Sequence, residues 1–357
     1  MGAIKRYPEL PSAEPIGKEV DNMRKRRNFV ANHAKLPDLE SDDIRTLFKA
    51  FVKIKVSEGI AIRTIKQYET NFTQFCDYIE IRGGNYHVKT ITTDFVREWL
   101  TYMQQEHVQF RKITHRKTKS VGLKPATINT RLKTLKVMFN TLHTNLLVKT
   151  NPLTKVPNVQ QPEELIEVLS DTEITRILSV MDKTYYTSFR DYVLTVLLLD
   201  AMLRITEATH LQRSDIDSER GFVIIRASIA KNRIARMVPI TKRTLRLLNE
   251  LMKENDFTTS SHYVFATEKG TPYDRNRYNQ RLKTYAELAY ITKPVHAHIF
   301  RHTAATAWLE NGGNMEDLRN ILGHSKYDMV KRYAHVSNTS IKKSAEQYSV
   351  VARMEDM

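Results

Sequence analysis

HIFRHTAATAWLENGG, residues 298–313, runs directly into NMEDLRNILGHSKYDMVKRY, residues 314–333. Ala305, Trp308 and Leu309, then Leu318, Ile321 and Leu322, recur at helical spacing, so the stretch predicts two amphipathic helices broken at Gly312-Gly313. Onto the helix ends it loads His298, Arg301, His302, His324, Lys331, Arg332 and Tyr333. Histidine handles protons near neutrality, and arginine offers a planar fork that fits phosphate oxygens. A tyrosine hydroxyl close by can attack or donate a proton. Taken alone, the stretch reads equally as an ordinary helical hairpin with a charged surface and a packed tyrosine. The rest of the chain decides between the two.

Upstream, a strongly apolar helix runs from about Phe189 through Leu199 and, being apolar on most faces, belongs at the centre of a domain. Arg204 and Glu207 follow it immediately. A guanidinium that close to a core needs an anionic partner, and Glu207 is placed to orient it. Phe222 to Arg226 and Met237 to Ile240 then alternate as strands of a hairpin or small antiparallel sheet, with Lys231, Asn232 and Arg233 in the turn. A lysine at a hairpin tip is commonly there for solubility and edge protection. Helices are predicted at 242–253 and 274–288, with a short strand at 263–265 between them, and a last one at 339–348.

Towards the N-terminus the pattern is helical throughout. Ser41 is a cap for a helix carrying Ile44, Leu47, Phe48 and Phe51, and a second begins at Arg63. A third starts at Thr93 or Asp94, and a fourth at Pro125, a residue suited to a first helical turn. Four amphipathic helices in so short a span need one another for burial and predict a compact helical unit over 41–150. Between the third and fourth helices the periodicity stops and Arg111, Lys112, Arg116, Lys117, Lys119 and Lys124 accumulate. Such a run is either a solvated loop or a contact with a nucleic-acid backbone, and its setting in a basic domain favours the contact. On the fourth helix, Arg131 and Lys133 are expected on the polar face. Residues 1–40, with near-balanced charge and four prolines, read as a partly ordered lead-in, and residues 151–168 as an interdomain linker.

The chain has 357 residues, 56 Lys plus Arg against 40 Asp plus Glu, and a formal charge of +16. That excess calls for a polyanionic partner. A single cysteine, Cys76, excludes an internal disulfide framework and a thiolate cluster. With no signal-like N-terminus and no membrane-length apolar run, the expectation is a soluble intracellular protein without a membrane partner.

Arg204, Lys231, His298, Arg301 and His324 would surround one negative centre. They do not make a hydrolytic metal site, because the cluster lacks carboxylates and arginine does not ligate. GxxxxGK[ST] and GxGxxG are both absent, so nucleotide-driven phosphoryl transfer lacks its usual cradle. Metal-free attack on a phosphodiester fits better: two guanidiniums neutralise the non-bridging oxygens, and a lysine or histidine protonates the leaving oxygen.

LRITE at 203–207, the hairpin lysine ahead of ARMVPI, HIFRHTAAT at 298–306 and LGHSKYDMVKRY at 322–333 resemble the motifs of the tyrosine recombinases, the family of phage-type integrases and related transposon and chromosome-dimer recombinases. The resemblance covers roughly residues 41–335 and places Arg204, Lys231, His298, Arg301, His324 and Tyr333 on the family's six active-site positions. It implies a mainly α fold with a small antiparallel β-sheet. A core-binding domain at 41–150 and a catalytic domain at 169–336 would form a C-shaped DNA clamp, and a C-terminal segment at 337–357 would be exchanged between protomers.

The implied activity is site-specific recombination, integrating or excising a mobile element through a 3′-phosphotyrosyl link to Tyr333. Arg204 and Arg301 would hold the scissile phosphate, Lys231 would protonate the 5′-oxygen, His298 would assist proton transfer at the tyrosine and His324 would hydrogen-bond the phosphate. Glu207 takes the supporting position. No cofactor and no metal are implied. The implied partner is double-stranded DNA, bound as a homo-tetramer on paired sites in the bacterial cytoplasm, with an accessory directionality factor left open. DNA contacts are expected from Arg111, Lys112, Arg116, Lys117, Lys119, Lys124, Arg131, Lys133 and Arg233. Ala201-Met202 departs from the family, which often has glycine at the second of these positions. The alternatives are a type IB-like topoisomerase and a non-catalytic DNA-binding architectural protein.

Overall fold

The computed structural model describes residues 42–108, 120–162, 167–258 and 261–324, together with Tyr327, Val330 and Tyr333. The expected lead-in at 1–40, the basic residues Arg111, Lys112, Arg116, Lys117 and Lys119, and the exchanged segment at 337–357 lie outside the described residues. The chain divides into two units, Met1–Glu163 and Glu164–Met357.

The first unit is built on α1 (Ile44–Ser57), α2 (Ile62–Ile81), α3 (Thr93–Gln105) and α4 (Pro125–Thr144). Asp43 caps α1 by accepting the Arg45 amide at 2.7 Å, two residues beyond the Ser41 expected in that role. Thr92 caps α3 through the Phe95 amide. Aromatic residues fill the centre: Phe48 stacks on Phe72 at 3.9 Å, and Phe75 meets Trp99 edge-on at 4.9 Å.

Two local expectations change in this unit. Arg131, expected on the polar face of α4, is buried, its guanidinium beside the Met103 sulfur at 3.8 Å. Its helix touches α1, α2 and α3 together, which leaves little of the α4 circumference for solvent. The stretch read as the start of a linker packs back on the unit. Leu153 and Val156 enter its core, and Asn129 holds both backbone groups of Val159, donating to its carbonyl at 2.9 Å and accepting its amide at 2.8 Å. Lys124 and Lys133 are exposed.

The second unit opens with α5 (Asp171–Ser179), whose capping box joins Ser170 and Glu173 reciprocally. The apolar helix α6 (Tyr186–Ala201) is its axis, with Val193, Leu194, Leu197 and Leu198 fully buried. A one-turn helix, α7 (Ile205–Thr209), follows Arg204. β1 (Ile216–Asp217), β2 (Phe222–Ile225) and β3 (Arg236–Pro239) form an antiparallel sheet in that order, with Val223 opposite Val238 and Ile225 opposite Arg236. The expected strand at 263–265 is instead a pair of isolated bridges, Gln212 with Tyr263 and Ala266 with Pro272. α8 (Lys242–Thr258) and α9 (Arg275–Leu288) precede the hairpin of α10 (Ala297–Glu310) and α11 (Met315–Leu322).

α8 and α10 both pack on α6. The α10–α11 turn needs glycine at 313, because a Cβ there would lie 2.3 Å from the Trp308 indole nitrogen. Asn314 then caps α11 through the amide of Glu316 at 2.6 Å. Among the described residues no helix is long and apolar enough to cross a membrane.

Candidate active site

Arg204 leaves the left-handed turn at Met202, where φ is 51°, and enters the N-terminus of α7. Glu207, one turn later, accepts from the Arg204 backbone amide at 3.1 Å and from its guanidinium at 2.9 Å. Glu207 is 1% exposed and takes a second guanidinium, Arg236 of β3, at 2.7 Å. Burial works against this carboxylate, but the bonds to Arg236 and the charge of Arg204 outweigh it and hold Glu207 below the usual carboxylate range.

Arg301, on the buried side of α10, donates to the carbonyls of Met202 and Leu322 and to Nε2 of His324 at 3.2 Å. Burial and the neighbouring Arg204 charge bring its guanidinium down to about 10. Since a guanidinium only donates, the His324 Nε2 must be the acceptor, which puts the proton of the neutral ring on Nδ1. Nδ1 is buried and has no hydrogen-bond partner among the described residues. Burial first, then Arg301, Arg204, Arg236 and Lys231, push His324 down to about 4. His298 is lowered in the same way, by burial and by Arg301, His296, Arg204 and Lys231. Lys231 and Arg233 are exposed in the connection between β2 and β3.

The Tyr333 hydroxyl meets Nδ1 of His302 at 2.9 Å, and the residue is 3% exposed. The family resemblance gives the tyrosine's proton to His298, whose ring centre lies 6.4 Å from that of His302. His298 and His302 stand one turn apart on α10, and Tyr333 touches the later of the two. The second unit therefore draws Arg204, Glu207, Lys231, His298, Arg301, His324 and Tyr333 into one electrostatic neighbourhood. Lys124, Arg131 and Lys133 belong to the first unit.

Sequence reasoning passed over two residues. His302 stands outside the six candidate positions, although its place beside Arg301 and four after His298 marks it as a neighbour of both. Arg236 had a plainer signal. In β3 the side chains alternate, and Arg236 shares the inward register with buried Val238, while Met237 and Pro239 are exposed. An arginine on the core side of a strand requires a buried partner.

A cluster of guanidiniums, a lysine, histidines and a tyrosine is equipment suited to a covalent step on a phosphodiester. Residues 167–340 match the phage integrase family. Tyrosine recombinase XerD of Listeria monocytogenes serotype 4b (strain F2365) is 24% identical over 304 residues, covering 82% of this chain and 94% of the relative. Tyrosine recombinase XerC of Chlamydia trachomatis serovar L2 is 28% identical over 214 residues, 59% of this chain and 67% of the relative. Among solved structures, the Tn1549 transposon integrase in complex with a circular intermediate DNA superposes with a TM-score of 0.66 at 21% identity, covering 84% of this chain and 99% of that one. XerH site-specific recombinase bound to a palindromic difH substrate gives 0.64 at 19% identity, covering 85% of this chain and 84% of that one. Residues 167–340 thus form a phage integrase domain, and the chain is similar to a tyrosine recombinase over 82% of its length.

Proposed function

We propose that the chain cuts and rejoins double-stranded DNA with Tyr333 as nucleophile, leaving a 3′-phosphotyrosyl link and a free 5′-hydroxyl that a second strand can attack. The observation that carries this reading is the unbalanced charge of the site. Burial, with Arg301, Arg204, Arg236 and Lys231 beside it, holds His324 uncharged, while the nearby carboxylate, Glu207, is already committed to two guanidiniums. Among the described residues the cations of the site outnumber its carboxylates, and a phosphodiester offers two oxygens for them to hold.

Arg204 and Arg301 bind the non-bridging oxygens, and the Nδ1–H of His324 is a spare donor for the same group. Tyrosine ordinarily titrates near pH 10, so its proton needs an acceptor. His302 already touches the hydroxyl and takes that proton, while His298 lies among the cations of the phosphate site. Lys231 protonates the departing 5′-oxygen. The phosphotyrosine ester conserves the energy of the broken bond, so rejoining needs no nucleotide cofactor. The exposed Lys124, Lys133 and Arg233, with the basic run at 111–119, supply contacts to the DNA backbone, and protomers pair on two recombining sites as a tetramer.

The test is a nicked half-site DNA that traps the covalent species. Wild-type protein accumulates a protein–DNA adduct resistant to denaturation, and Tyr333→Phe binds the same DNA within a few-fold but forms none. An adduct retained by Tyr333→Phe would remove the tyrosine from the reaction.

A further inference from the structure

Arg236 stands outside the six-residue set, yet all three nitrogens of its guanidinium are engaged. Nη2 and Nη1 donate to the two oxygens of Glu207 at 2.7 and 3.3 Å, and Nε donates to the carbonyl of Ile321 at 2.9 Å. The side chain is 10% exposed. Its two attachments have different dependants. Glu207 carries Arg204 by both backbone and side chain. Ile321 sits in the last turn of α11, beside the Leu322 carbonyl that holds Arg301 and just ahead of the Gly323 turn into His324.

Gly323 is fitted to the same guanidinium. It adopts φ +62°, and a Cβ there would lie 3.1 Å from Cζ, Nε and Nη1 of Arg236. One side chain thus joins the anchor of Arg204 to the end of the helix that presents His324.

We propose that Arg236 is a positioning residue for the recombination reaction. It fixes Glu207 so that Arg204 is aimed at the scissile phosphate, and it fixes the carbonyl end of α11 so that Arg301 and His324 share that target. This rests on the reading above, in which Arg204 and His324 engage the phosphate. Arg236 itself touches no reacting atom. Lysine cannot replace it, since an ammonium is a point charge without the fork that grips a carboxylate at two oxygens and a carbonyl at a third position.

The experiment measures single-turnover adduct formation at saturating half-site DNA for wild type, Arg236→Lys, Arg236→Gln, Gly323→Ala and Arg204→Ala. Each is assayed on an ordinary phosphodiester and on a scissile methylphosphonate, which lacks the charged oxygen that Arg204 would hold. Circular dichroism and half-site affinity establish that each variant folds and binds. Arg236→Lys is expected to bind DNA within about 3-fold of wild type but to form adduct about 30-fold more slowly, within the roughly 10- to 100-fold range of partners that orient a charged group.

On the methylphosphonate the defect should shrink to a few-fold, in parallel with Arg204→Ala. Gly323→Ala should show the same pattern more weakly. Combined with Glu207→Gln, the Arg236→Lys defect should be smaller than in the wild-type background, because the two act in series. A folded Arg236→Lys with wild-type cleavage, or one equally slowed on both substrates, overturns the proposal. If Arg204→Ala itself cleaves normally, the phosphate-binding reading fails instead.

Discussion

Tyr333 and His302 share a hydrogen bond of 2.9 Å, and in the proposed reaction this contact separates the two histidines of α10 by task. General acid–base residues contribute about 10²- to 10⁴-fold, so His302→Gln is expected to slow adduct formation at least 100-fold at saturating DNA. It should also abolish the acidic limb of the pH–rate profile. His298→Gln should slow the reaction while keeping that limb. A reversed pair of profiles returns the tyrosine's proton to His298.

His324 makes a second residue-level statement. Its folded value of about 4 lies below the ordinary 6.5, so the native state resists the proton that the unfolded chain accepts. The stability held above pH 6.5 therefore drains away as pH falls towards 4, by up to roughly 3 kcal/mol. Unfolding midpoints of wild type and His324→Gln should converge across that window in acid, and a constant gap between them refutes the assignment. DNA acts in the opposite sense. A bound phosphate raises His324 and His298, so calorimetry of Tyr333→Phe binding at pH 6 should detect proton uptake.

At the scale of elements, the turn between α10 and α11 depends on one missing methyl group. Gly313→Ala places a Cβ against the Trp308 indole, at a cost of about 1–3 kcal/mol of the kind expected for overpacking. The melting midpoint of the whole chain should fall, and it should recover when Trp308 is shortened to Leu. A melt unchanged by Gly313→Ala would mean that the indole moves freely.

Helices such as α5 and α11 were legible in the sequence because each combines a 3.6-residue apolar stripe with a side-chain cap. The features that were not legible arise where tertiary packing overrides local pattern. Arg131 interrupts no stripe yet is buried, because α4 touches three helices at once. Residues 151–159 lack periodicity and still contribute Leu153 and Val156 to a core. Met202 looks like a departure from a glycine position, and its φ of 51° explains the preference. A left-handed methionine carries about 1–2 kcal/mol of strain, and here it aims its carbonyl at Arg301.

At the scale of the molecule, the net charge of +16 sets how tightly DNA is held, while the second unit sets what is done to it. Neutralising Arg111, Lys112, Arg116, Lys117, Lys119 and Lys124 together should weaken binding and flatten its dependence on salt, by about 0.9 in log–log slope for each DNA phosphate that no longer meets a cation. Titrations of Tyr333→Phe at several salt concentrations read this directly, and an unchanged slope makes the run a solvated surface. The site itself was legible because its residue types are expensive to bring together without an anion. Arg236 and His302 escaped because each reads locally as an ordinary member of a strand or helix.

Tyr333, 3% exposed, has one further consequence. Its phenol is sheltered from diffusible electrophiles that would exhaust the proposed nucleophile before its substrate arrived. Nitrating or iodinating reagents should mark Tyr290 and Tyr185, 87% and 68% exposed, well before they reach it. The resting protein can therefore be surface-labelled and still retain its full complement of reactive sites.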